Sequence, residues 1–138
     1  MLLPEIDEKA TIRGCKRKLR EYPRWREIAH DSAEQKITQE FTFMPRGGNG
    51  VSRPVENIAV RRVDAMNELE AIEQAVSGLY RPDYRRILIE KYLAYPPKPN
   101  WQIAQAIGFE RTAFQELLNN AILAFAELYR DGKLVVER

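Results

Sequence analysis

The chain has 138 residues, 44% hydrophobic and 30% charged, which suits one compact domain with an appendage, or two very small units, and excludes a wholly disordered protein. No apolar run approaches the ~20 residues of a membrane-spanning helix, and "MLLPEIDEKATIRG" lacks the basic flank and long apolar core of a signal peptide. Net charge is +2 but uneven: residues 9–26 hold eight basic side chains against one acid, Glu21, while residues 55–138 hold 11 against 12.

Residues 1–30 read as a basic amphipathic helix. Ile12, Cys15, Leu19 and Tyr22 recur at spacings of three and four, which makes one apolar stripe. Arg13, Lys16, Arg17, Arg20 and Arg24 fall on the adjacent face. Pro23 removes a helical hydrogen bond and crowds the preceding turn, so a kink or restart is expected there, returning Trp25 and Ile28 to the core. Cys15, on the stripe, reads as a buried structural thiol. The single histidine, His30, reads as solvated or capping. One cysteine and one histidine make neither an internal disulfide nor a zinc site of the usual kind, so an intracellular protein without a metal or cofactor is expected.

Residues 31–53 read as a connector. Ile37, Phe41 and Phe43 alternate, as in a short extended segment, and "RGGNG" supplies backbone freedom. Residues 54–138 read as a helical domain. Its first helix has Pro54 in the first turn and a stripe of Val55, Ile58/Ala59, Val63, Met66, Leu69, Ile72, Val76 and Leu79, with Gly78 as a stop. "PDYRRILIEKYLAY" is a shorter helix burying Tyr84, Ile87, Leu88 and Tyr92, and "PPKPN" ends it. Asn100 is placed as the N-cap of a helix over 101–107, with Trp101 as a core lid whose indole N–H lies near a phosphate. A last helix from about Arg111 to Arg130 buries Phe114, Leu117 or Leu118, Ala121, Ile122, Phe125 and Leu128. The fold class is all-α.

"IAQAIGFERTAF" has the spacing of a helix-turn-helix within residues 101–130. Ala104 is the small residue where two helices cross, and Gly108, four positions on, permits the tight turn. Ile103, Ile107, Phe109 and Phe114 pin the second helix to the first, and Leu118 and Ala121 continue the buried face. Arg111, Thr112, Gln115, Glu116 and Asn119 are left outward, where base edges lie in a DNA complex. Arginine suits guanine and the amides suit adenine. Phosphate contacts need not come from the same element: Arg85 and Arg86, and Arg13, Arg17 and Arg20 of the basic helix, are the residues for that role. Two plainer alternatives stand beside these readings. A glycine turn also joins ordinary helix pairs, and a basic face also docks on its own protein.

"YRRILIEKYL … WQIAQAIGF … TAFQELLNNAILAFAELY" resembles region 4 of bacterial sigma factors. With "SRPVENIAVRRVDA" and the terminal "LYRDGKLVVER" added, nearly the whole chain resembles the ArpU family of phage late-gene regulators, which are similar in style to RinA-type activators. The resemblance implies a sequence-specific DNA-binding transcription regulator of phage or prophage packaging and lysis genes, acting in the cytoplasm of the bacterial host. Double-stranded DNA is the implied partner, with host RNA polymerase and a second copy of the chain as further ones. Glu110 departs from the pattern, standing where such recognition helices usually open with serine. Asp64, Glu68 and Glu70, interleaved with Arg61 and Arg62, read as a charged helix face rather than a nuclease centre. No nucleophile–base pair or phosphate-cradling loop is visible, and no enzyme is expected. A small-terminase-like packaging component and a module docking on RNA polymerase are the alternative functions.

Overall fold

The computed structural model describes residues 2–30 and 52–138, with side chains from residue 57 onward in the second stretch. The expected extended segment and glycine-rich turn of the connector lie outside the described residues. All described elements are helical, and no β-strand occurs among them. The chain divides into two units, one built from Met1–Tyr22 and Ala71–Arg138, the other from Pro23–Glu70.

In the first unit, α1 (Glu8–Arg20) opens on Asp7, whose carboxylate accepts a hydrogen bond from the Ala10 amide at 3.1 Å. Glu8 in its first turn and Arg17, Lys18 and Arg20 in its last complement the helix dipole. The break falls at Glu21, and a second helix, α2, runs over residues 22–30 with Pro23 in its first turn, where a missing N–H costs nothing. Cys15, Leu19 and Tyr22 of the expected stripe are buried, joined by Thr11, while Ile12 is half-buried. Burial pushes the Cys15 thiol up to about 12, so it stays protonated and inert at neutral pH.

α3 (Ser52–Ser77) crosses from one unit to the other along its length. Within the second unit, Ala29 and Ala65 are buried, whereas Trp25 and Ile28 are half-buried. Val63 and Met66, expected on the buried stripe, are more than half exposed. Periodicity identifies a face; it does not say whether anything covers it. From Ile72 onward the same stripe joins the core of the first unit through Ile72, Val76 and Leu79. There, Tyr22 Oη donates to Glu73 Oε2 at 2.6 Å.

α4 (Pro82–Leu88) passes directly into a π turn, Ile89–Leu93, closed by the Ala94 amide on the Ile89 carbonyl at 2.7 Å. Within the π turn Tyr92 is buried, as expected, and Lys91 is half-buried. α5 (Asn100–Ile107) and α6 (Arg111–Leu128) follow. α6 is the spine of this unit and packs against α1, α4 and α5. Phe114, Leu117, Leu118, Ala121, Ile122 and Phe125 form its buried face. Leu128, expected in that core, is 44% exposed, and Tyr129 is buried in its place. The chain leaves the α-helix there for one 3-10 turn, in which Arg130 takes left-handed backbone angles.

The two ends of the chain meet. Ile6 and Glu137 form a single antiparallel bridge, with Asp7 N–H on the Val136 carbonyl at 2.8 Å and Arg138 N–H on the Glu5 carbonyl at 3.1 Å. Thr11, fully buried, anchors this clasp: its hydroxyl accepts a hydrogen bond from the Val136 amide at 3.0 Å. Thr11→Val keeps the shape and removes the acceptor, leaving a partly buried N–H unpaired. A loss of about 1–2 kcal/mol in unfolding free energy is expected in urea denaturation. An unchanged midpoint would show that the clasp adds nothing to stability.

A candidate nucleic-acid interface on α5 and α6

α5 ends on Gly108 at φ 81°, ψ 32°. The Phe109 amide reaches back to the Ala104 carbonyl at 2.9 Å and the Gly108 amide to Gln105 at 3.3 Å, a Schellman closure that satisfies the last carbonyls of the helix. Ala104, 6% exposed, and fully buried Ile103 face the core, and Phe114 and Leu118 of α6 meet the same interior. Ile107 is half-buried. Phe109, expected as a pin, is 42% exposed: it follows the left-handed residue, where the chain has already turned outward. A Cβ on Gly108 would meet nothing within 4 Å, so any cost of a side chain there is purely conformational. Gly108→Val is expected to lose about 1–3 kcal/mol of stability, and Gly108→Asn about half as much, because asparagine tolerates this region better. Equal melting temperatures for all three proteins would contradict the strain.

α6 starts after Glu110, which is extended and makes no side-chain cap. Arg111, Thr112, Gln115 and Glu116 are exposed along one side of α6, and Asn119 is half-buried on the same side. Gln115 Nε2 donates to Asn119 Oδ1 at 3.1 Å. This i, i+4 bond orients both amides and leaves Gln115 Oε1 and one further N–H outward.

The other basic residues singled out in the sequence are distributed unequally. Arg13, Arg17 and Arg20 are exposed on α1. Because Thr11, Cys15 and Leu19 turn the opposite face of α1 into the core and α1 packs on α6, these arginines belong to the same unit as α6 despite about 90 residues of separation. Arg85 is engaged by its own chain: Nη1 donates to the Leu79 carbonyl and, at 3.5 Å, to the Tyr80 carbonyl. Arg86 pairs with Glu90 at 3.5 Å.

Two side chains differ from expectation at the start of α5. Asn100 does not cap the helix; its Oδ1 accepts a hydrogen bond from Lys91 Nζ at 2.6 Å. Trp101 is not a core lid, being 68% exposed. Together with Ala104, Gln105, Phe109, Arg111, Phe114 and Gln115, these residues line an open groove of about 730 Å³. Lys91 was not singled out in the sequence, although it stands four residues after the buried Ile87. Burial, and then the charges of Lys16 and Arg20 on α1, hold its ammonium below the usual lysine range.

The features define an all-helical protein in which a basic helix docks beside a helix pair joined through a left-handed glycine. No family model matches the chain, and no solved structure does. Over all 138 residues and the whole of both chains, it is 88% identical to a protein of Streptococcus phage O1205 named as the candidate autolysin regulatory protein ArpU. A protein of Enterococcus hirae with the same name is 25% identical over 134 residues, 97% of this chain and 96% of that one. The chain belongs to the ArpU family.

Proposed function

We propose that this protein is a sequence-specific DNA-binding transcription regulator encoded by a phage or prophage, acting on late packaging and lysis genes in the bacterial cytoplasm and carrying no enzymatic activity. In this reading α5 and α6 are a helix-turn-helix of the sigma-region-4 kind. The observation that carries it is the outward row Arg111, Thr112, Gln115, Glu116 and Asn119 on a helix held across Ala104 and Gly108. α6 enters the major groove, its N-terminal Arg111 facing guanine and the aligned amides of Gln115 and Asn119 facing adenine.

The weak charge of that helix is offset elsewhere in the same unit. Arg13, Arg17 and Arg20 contact phosphates, supplying affinity that is independent of sequence and sensitive to salt. Arg85 also donates to the carbonyls of Leu79 and Tyr80, just after α3. The family supports a regulatory role: both relatives are named for autolysin regulation, and an autolysin gene is a lysis gene in kind. The test is selection of duplexes from a random pool by the purified protein. Enrichment of one short motif is the expected result, and a pool that stays random after repeated rounds would overturn the reading.

A further inference from the structure

The groove between α5 and α6 has an unusual lining. Lys91 and Arg111 are its charged residues, Asn100, Gln105 and Gln115 are neutral amides, and no carboxylate contributes. Trp101 stands 68% exposed at this groove, a large apolar surface that nothing in the described fold covers. Lys91 is half-buried, with the Asn100 amide oxygen at 2.6 Å and the Tyr92 ring centroid at 5.3 Å as its partners. No carboxylate among the described residues pairs with it; the neighbouring Glu90 is taken by Arg86 and Lys98. The charges of Lys16 and Arg20 that act on it have the same sign. A partly desolvated cation among cations is completed by an anion, and the exposed indole beside it by a flat or apolar group.

We propose that this groove seats the sugar–phosphate backbone of duplex DNA, with the Lys91 ammonium on a phosphate and the Trp101 indole packed against the adjoining deoxyribose. The proposal rests on the DNA-binding reading and deepens it. Arg111 and Gln115 border the groove and continue onto the outward side of α6. A strand held there is therefore fixed in register with the residues that read bases. Lys91 and Trp101 are thus positioning residues, and their contribution is the same for every sequence.

The full-length chain has two tryptophans, so Trp25→Phe leaves Trp101 as the only indole. Titration of this protein with a selected and with an unrelated duplex is followed by indole emission and, in parallel, by anisotropy of the labelled DNA. Trp101 emission is expected to change saturably in step with binding of both duplexes. Trp101→Ala is expected to weaken both by roughly tenfold, and Lys91→Gln to lower the salt slope by about 1. If both duplexes bind while emission stays constant and both variants keep their affinity, the groove does not face DNA, though the reading of DNA by α6 stands. If the parent protein binds no duplex, both ideas fall. A response of Trp101 to RNA polymerase, with none to duplex, would give the groove to a protein partner. Should Trp101→Ala fail to fold, the emission measurement still decides.

Discussion

Replacing Arg13, Arg17 and Arg20 together by glutamine will weaken binding to every duplex by on the order of a hundredfold near physiological salt, and flatten the dependence of log K on log salt by roughly 2.7. The three side chains are exposed, so the substitution removes charge without opening the core. Each phosphate they neutralise releases condensed counterions, and the slope counts those phosphates. The preferred sequence should not change, because backbone contacts carry no base information. Binding measured at several salt concentrations checks this. A variant with the full slope would make the basic face of α1 a solvated one.

Truncating Phe125 to alanine will cost about 3–5 kcal/mol of unfolding free energy. Phe125 is fully buried in α6 and stacks on Tyr129 at 5.6 Å between centroids; over that ring, at 5.8 Å, lies the Lys18 ammonium of α1. The cavity would therefore open where α6 supports α1. If α1 carries the proposed phosphate contacts, the same variant loses DNA affinity beyond its loss of folded protein. Denaturant unfolding with binding measured on the folded fraction separates the two effects. A loss below about 1 kcal/mol would mean that the site collapses around the missing ring.

Much of this fold is legible in the order of residues. Cys15, Leu19 and Tyr22 announce the buried side of α1, Pro23 the restart after it, and Gly108 the turn before α6. These are local signals: a period of 3.6, a missing N–H, and a backbone angle that favours glycine. What escapes them depends on distant parts of the chain. The clasp between Thr11 and Val136 joins residues at the two ends, and no periodicity encodes it. A lysine is not expected on a buried helix face, so Lys91 passes unnoticed, and the 3-10 turn after Leu128 exchanges Leu128 for Tyr129 in the core. Trp101 misleads for another reason. An aromatic at a helix start is usually covered, and its exposure becomes visible only when the groove beside it has formed. The outward row of α6 follows from its spacing. The docking of the basic helix onto that same unit does not.

Whether α6 reads base edges is decided by Arg111→Ala and Gln115→Ala, each titrated against the selected duplex and a scrambled one at a single salt concentration. Both residues are exposed, one turn apart, near the N-terminal end of α6, so neither substitution disturbs the core. A bidentate contact exists only with the correct base. Each variant is therefore expected to lose roughly 1–3 kcal/mol on the selected duplex and much less on the scrambled one. Equal losses on the two duplexes, or none on either, would show that α6 does not read bases.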